Sequence, residues 1–357
     1  MKSYYKPMLL ACILGAVVLT YTMSKYQEVL TELQTQKAKF DAIEYKISPG
    51  IIAQSASLDA KQRISVGGTY TFEENRKVPE MHKEFKPESF YQDKAAIPDY
   101  KIKLQTLIDQ KVPADNPDLV NIIRNHYIEQ PSQEPYKLLN PERVDYSQGQ
   151  TPFIDSRLNY MEGGFYVECG ALNGEKGSNS LFFERVRKWN GLLIEGDPTN
   201  YAELKKINRK AFSINACISP RATPFKAKFH KAFNMGRAIH DAQSENWVKR
   251  NHKNKDLVEM ECFPLYSLML ALNRTTIDFF SLDVEGDEVN VLKTIPFDKL
   301  NIKMMTVEYA HGGAGGADMQ RFLQSKGYEV VLKVSKDNWG VNDLIFRKKG
   351  VADGSTI

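Results

Sequence analysis

Cysteine is scarce, with four residues in 357. That is too few for a scaffold held together by disulfides. An excess of one charge is also lacking. Lys and Arg number 48 against 44 Asp and Glu, a net charge of +4, and so small a balance implies no nucleic-acid partner. With 22 glycines, 16 prolines and 42% apolar residues, the chain is neither collagen-like, low-complexity nor wholly disordered. Several signatures are missing. There is no Gly-x-Gly-x-x-Gly, no P-loop, no Gly-x-Ser-x-Gly elbow and no Cys/His spacing for zinc, so no metal ligands are assigned. The length suits roughly two domains of about 150 residues.

One long apolar run is present. No residue between Lys6 and Lys25 is charged. As a helix, Pro7 to Ser24 spans about 27 Å, close to a thin bilayer. Its end, Leu19 to Ser24, lacks an Ala-x-Ala cleavage site, which favours an uncleaved anchor over a signal peptide. Lys2 and Lys6 precede the run without acids, whereas Lys25, Lys37 and Lys39 follow it among Glu28 and Glu32. This slight bias puts a short tail, 1–6, in the cytosol and the rest in the lumen. The Asn273-Arg274-Thr275 sequon fits a lumenal domain. The lipid bilayer is therefore the first expected partner.

A stem, 25–98, follows. Tyr26, Val29, Leu33, Phe40 and Ile43, with Gln36 filling a sixth place, alternate threes and fours, so 25–45 is a short solvated helix or a short homodimeric coiled coil. Pro79, Pro87 and Pro98 interrupt a polar tether. A helical lead-in, 99–160, carries a helix start at Asp115-Asn116-Pro117 and a second helix at Pro152 to Tyr160.

From 161 to 349 the pattern alternates strand and helix, with a flexible tail at 350–357. Strands are expected at Phe165–Glu168, Leu192–Glu195, Phe212–Ala216, Ile277–Asp283 and Met304–Tyr309, with an Asn190-Gly191 turn and an irregular polar stretch between 217 and 276. Tyr328–Val334 and Asp343–Arg347 read as a closing antiparallel pair. The fold class is α/β, a mostly parallel doubly wound sheet that binds ligands at the carboxyl ends of its strands.

Those ends carry the candidate chemistry. Glu168-Cys169-Gly170-Ala171-Leu172-Asn173-Gly174 closes the first strand, and its glycines permit a tight turn. Glu195 closes the second, placed to accept from two ribose hydroxyls. A glycine pair and an acid without a pyrophosphate motif suit S-adenosylmethionine. The fourth strand ends Asp283-Val284-Glu285-Gly286-Asp287-Glu288. Asp287 and Glu288 read as helix-capping acids. Asp283 and Glu285 face the ligand, one for an ammonium group and one as general base. Glu308, Tyr309 and His311 are alternative bases, and Gly312 to Gly316 is a lid or a linker. Cys217 and Cys262 are placed to pair in an oxidising lumen. The basic run Lys249 to Lys255 is a solvated loop or a contact for an acidic partner or lipid headgroup.

Gly164 to Ala171, Ser178-Asn179-Ser180, Gly191 to Pro198 and Leu282 to Glu288 with Val291-Leu292-Lys293 resemble the FkbM-type methyltransferase domain, as does Ser147 to Gln150 upstream. The resemblance covers about 115–347. It implies a Rossmann-like S-adenosylmethionine-dependent methyltransferase fold with an antiparallel closing strand. The candidate cofactor contacts are Glu168, Gly170, Ala171, Asn173, Gly174, Ser178, Asn179, Glu195, Asp197, Cys217 and Asp283, and the candidate catalytic residues are Asp283, Glu285 and His311. Glu168 stands where Asp is commoner, and Leu172-Asn173 also departs from the pattern. Anchor, tether and domain order further resemble the Star subgroup of insects, with Asp118-Leu119-Val120 and Phe182-Phe183-Glu184. That subgroup implies a type II membrane protein of endoplasmic reticulum, Golgi and endosomes, or the plasma membrane, that assists membrane-protein cargo. Trafficking is the favoured reading. An active O-methyltransferase and a Golgi glycosyltransferase using Asp283-Val284-Glu285 for a metal are the alternatives.

Overall fold

The computed structural model describes residues 99–251, 256–309, 315–335 and 342–351. The expected anchor, stem, tether and terminal tail after 351 lie outside these residues, as do His311 and most of the glycine loop beside it. Among the described residues, no helix is long and apolar enough to cross a membrane.

The lead-in begins with helix α1, Tyr100–Asp109. Helix α2, Pro117–Ile122, starts where the sequence signals it: the Asn116 side chain accepts from the Leu119 amide at 3.1 Å and proline opens the first turn. It runs into a π-turn, Ile123–Tyr127. Helix α3 spans Gln150–Arg157.

The main sheet contains β1 (Phe165–Cys169), β2 (Asn190–Glu195), β3 (Phe212–Asn215), β8 (Thr276–Leu282), β9 (Asn301–Glu308), β10 (Tyr328–Ser335) and β11 (Asn342–Lys348). Their order is β10-β11-β9-β8-β1-β2-β3. Strands β3, β2, β1, β8 and β9 run parallel, and β11 is antiparallel to both neighbours. The expected closing pair is present. The chain grows outward from β1 to β3 and then returns beyond β1 at β8. The crevice for a ligand therefore opens at the carboxyl ends of β1 and β8, where this reversal occurs.

Five of five residues in β1 and six of six in β2 are buried, as expected for strands covered on both faces. One face carries Val167, Ile194, Ile214, Phe280 and Met305 under α1, α2 and α7 (Leu265–Ala271). The other carries Tyr166, Leu193, Phe279 and Met304 under α3, α4 (Leu181–Val186) and α5 (Pro198–Lys206), with Trp189 against Phe183 at 4.5 Å. Burying such side chains contributes roughly 1.5–3 kcal/mol each before entropy is counted.

Two sequence expectations need correction. Asn190-Gly191 is the start of β2, not a turn; the left-handed residue is Lys188, and Gly191 lies against the Tyr166 ring where no side chain fits. The irregular stretch is a second sheet, ordered β4-β7-β5-β6. Its strands are β4 (Cys217–Ile218), β5 (Phe225–His230), β6 (Arg237–Ile239) and β7 (Leu257–Phe263), with α6 (Ala242–Asn251) between the last two. Phe225, Ala227 and Phe229 pack inward while Lys226 and Lys228 face out, the period-two pattern of a half-buried strand. Cys217 and Cys262 sit opposite one another in the β4–β7 pair and form a disulfide, Cα–Cα 4.4 Å. The sequon's Asn273 lies exposed in the turn after α7.

Candidate functional site

Three strand ends build the site. At the end of β1, Glu168 is 3% exposed. Its carboxylate accepts from the Asn179 amide at 2.7 Å and the Ser178 and Ser180 hydroxyls at 2.9 and 2.5 Å. Burial raises its pKa, opposed by nearby Arg209 and these donors. Glu168 is thus the anchor of the 178–180 loop. The loop then turns Asn179 toward β8, where its Nδ2 donates to Ser281 Oγ at 3.1 Å. The Asn179 Oδ1 is buried and accepts nothing among the described residues.

Gly170 takes φ +80, and a Cβ there would strike the Asp283 carbonyl. The close approach this glycine permits is that of the β8 backbone, which donates from Asp283 N to Cys169 O at 3.2 Å. Ala171 is buried, its amide bonded to Ile194 O. Asn173 accepts from the amides of Glu175 and Lys176 and closes a turn. Gly174, φ +78, packs on Leu204 and Ile207. These contacts shape the loop.

At the end of β2, Glu195 points back to that loop. It accepts from the amides of Leu172 and Asp197, each at 2.7 Å. Burial pushes it up to about 8 against the pull of those donors. Each carboxylate oxygen still has acceptor capacity. Asp197 caps α5, accepting from Thr199 N at 2.8 Å. Cys217 does not offer a thiol, because its sulfur is bonded to Cys262.

At the end of β8 the acids converge. Carboxylate oxygens of Asp283, Glu288 and Glu308 all lie within 4.8 Å of one another. Asp343, opposite Glu308 in the β11–β9 ladder, accepts from Gln150 Nε2 at 2.6 Å. The Asp283 carboxyl is driven well above the ordinary range by desolvation and by Glu285, Glu308, Glu288 and Asp343. The residue itself is exposed at the strand edge. Burial and Glu308 push Glu288 to about 7. A left-handed Glu285 (φ 61) followed by Gly286 (φ 111) forms the turn.

The capping roles differ from those expected. Glu288 accepts from the Val284 and Gly286 amides at 3.0 Å and ties down its own loop. Asp287 makes no side-chain cap. It meets His240 Nε2 at 2.8 and 2.9 Å instead, joining the second sheet to the site. That bond raises the His240 pKa, against the effect of burial. Any cation held at this edge would meet Asp283, Glu288 and Glu308, not the Asp283-Val284-Glu285 triplet.

Beneath the loop lies a charged network the sequence did not reveal. Glu184, 1% exposed, pairs with Arg209 at 3.0 Å and accepts from Tyr136 Oη at 2.8 Å, Tyr166 Oη and Lys210 N. Arg209 also donates to Gly174 O, Tyr166 Oη and Ser180 Oγ. Buried charges need such complete partnering. Of the central pair, Glu184 stands in a motif that the sequence singles out and Arg209 does not.

Residues 168–330 match the model of the methyltransferase FkbM domain. A methyltransferase FkbM from Methylobacillus flagellatus KT is 15% identical, with a TM-score of 0.34 over 69% of this chain and 58% of that one. M. capricolum TrmK, solved with S-adenosyl-homocysteine, is 8% identical with a TM-score of 0.29 over 56% and 70%. M. jannaschii TYW2, solved with AdoMet, is 15% identical with a TM-score of 0.28 over 62% and 85%. The chain thus spans 58% of the length of the Methylobacillus protein. No curated protein matches the chain. The described region is a mixed α/β Rossmann-like methyltransferase fold with a mostly parallel sheet.

Proposed function

We propose that the α/β domain binds S-adenosylmethionine at the carboxyl ends of β1, β2 and β8 and transfers its methyl group to an acceptor hydroxyl. The observation that carries this is the convergence of Asp283, Glu288 and Glu308 where the strand order reverses. Acids so crowded favour a cationic ligand, because one positive charge offsets their mutual repulsion.

The residues fit the group. The cofactor offers hydroxyl and ammonium donors and carries a sulfonium charge; the site offers acceptors and negative charge. Glu195 would take the ribose hydroxyls, and Asn179 Oδ1 with Asp283 the ammonium. Glu285 would take the proton from the acceptor hydroxyl. When bound, the cofactor supplies an activated methyl group. His311, outside the described residues, stays a candidate base.

Titration calorimetry of the full-length protein with S-adenosylmethionine tests this. Saturable binding is expected, weakened about tenfold or more by Glu195→Gln. Folded protein that takes up no cofactor at about 1 mM would overturn the reading.

A place in the secretory pathway is a separate reading, favoured by the Cys217–Cys262 disulfide, since such bonds persist in oxidising compartments. Membrane attachment through 7–24, a lumenal domain, stem dimerisation and assistance to membrane cargo extend that proposal. Their basis is the sequence of 1–98. Retention of cargo assistance in a variant that cannot bind cofactor would support trafficking as the primary role.

A further inference from the structure

A cavity lies in the insertion, on the side of β5 and β6 that faces α6. It measures about 460 Å³, within the size range of small-molecule sites. Arg221, Lys226, Lys228 and Lys249 line it, against only Asp241 and Glu245. Lys249 is paired with Glu245 at 2.8 Å, and Asp241 is held by Ser244 through its amide and hydroxyl, each at 2.7 Å. Lys226 and Lys228 project on the same side of β5, because residues two apart share a face. They sit opposite Glu261 and Glu259 in the β5–β7 ladder, yet make no ion pair with them among the described residues. Arg221 is pre-oriented. Its guanidinium lies 4.4 Å from the Phe225 ring centre, and Nη2 donates to the His240 carbonyl at 3.0 Å. That leaves most of its donor fork for something else.

We infer that this cavity is a binding site for the phosphate group of a small molecule, held by Arg221, Lys226 and Lys228. A fixed guanidinium and two ammonium groups make a better match to a compact dianion than to a single carboxylate. The cavity also has a structural link to the first site. His240 lines it, and the same imidazole binds Asp287 in the loop that carries Asp283 and Glu285. Resting on the methyl-transfer reading, the cavity would receive the phosphate end of the acceptor while the strand edge receives its hydroxyl.

The test uses the full-length protein and inorganic pyrophosphate, titrated at low salt without cofactor. Saturable binding is expected. Lys226→Gln with Lys228→Gln should weaken it about tenfold or more, and Arg221→Gln by a similar factor. Lys101→Gln, on an exposed turn of α1, should leave it unchanged. Unaltered thermal unfolding of the variants keeps a folding defect from imitating the loss, and Lys228→Glu supplies a second, stronger charge change. Vesicles containing phosphatidic acid form a parallel arm. Capture that pyrophosphate reverses assigns the phosphate to a lipid headgroup; pyrophosphate binding without capture assigns it to a soluble ligand, and in either case its loss in the Lys226→Gln, Lys228→Gln double variant places it in this cavity. No saturation up to about 10 mM, or equal binding by the double variant, overturns the inference. Cofactor titration of the same proteins separates the two proposals, because pyrophosphate binding with no cofactor uptake retains the cavity and removes methyl transfer.

Discussion

At the scale of single residues, Gly170 shows a bend that the sequence signals and a close approach that only the fold supplies. The sequence signals a tight bend at the end of β1, and the bend is there, with φ +80. The group that closes in is the Asp283 carbonyl. An alanine at 170 would meet two costs: the left-handed backbone, about 1–2 kcal/mol, and the push against β8, about 1–3 kcal/mol. Gly170→Ala should therefore lower unfolding stability by about 2–5 kcal/mol, read by urea denaturation. A loss under about 0.5 kcal/mol would mean the two strand ends are not held together as described. Glu195 was legible for a similar reason, since its place at the end of β2 follows from the strand alone. Its two backbone donors come from Leu172 and Asp197, and no local pattern announces the first of these. The Glu184–Arg209 pair joins residues distant in sequence, and only the packing of α4 beside the loop that leads from α5 into β3 brings them together.

Among the elements, the parallel strands were the easiest to read, because burial on both faces makes them continuous apolar runs such as Phe165-Tyr166-Val167. The insertion was misread because it is half-exposed and polar. Its clearest signal, the alternation in Phe225-Lys226-Ala227-Lys228-Phe229, is only five residues long. The strands of this sheet bury a small cluster of Phe225, Phe229, Ala238 and Met260, with Cys217 and Cys262 within it. So small a core gives the disulfide a large share of the stability. It closes a loop with a sequence separation of 45, and the chain-entropy argument assigns such a loop about 4 kcal/mol. Cys262→Ser, or reduction of the native bond, should lower stability by about 2–4 kcal/mol and loosen β5 and β6 first. Hydrogen exchange with and without reductant reads both effects. Uniform loss of protection across β1 and β8 would instead mean that the insertion and the main sheet unfold as one unit.

For the molecule as a whole, the unequal distribution of its charges sets how it responds to pH. Near neutrality of the sum hides a carboxyl edge where Glu195 rises to about 8 and Glu288 to about 7, with Asp283, Glu168 and Asp343 raised as well. None of this was visible in a composition of 48 basic and 44 acidic residues, since it depends on which acids the fold buries together. For a carboxyl raised on folding, the folded chain keeps a proton that the unfolded chain has already lost. Stability then falls as pH rises from the unfolded value through the folded one. For Glu195 that window runs from 4.5 to about 8, and its full span carries up to about 5 kcal/mol. His240 acts in the same direction. Its raised pKa contributes stability that is present below the ordinary 6.5 and is lost as pH climbs through the folded value. The effects add, so the melting temperature should fall steadily between about pH 6 and pH 8.5, with net proton uptake on folding in calorimetry. Glu195→Gln should cost about 1–3 kcal/mol at pH 6, where a backbone donor loses its acceptor, and should flatten the slope above that pH. A cationic ligand at the acid edge should flatten it too, by taking the place of the protons. A melting temperature that rises across this range would mean that the carboxyl edge is ionised and already compensated in the folded chain, and the case for a cation there would fall with it.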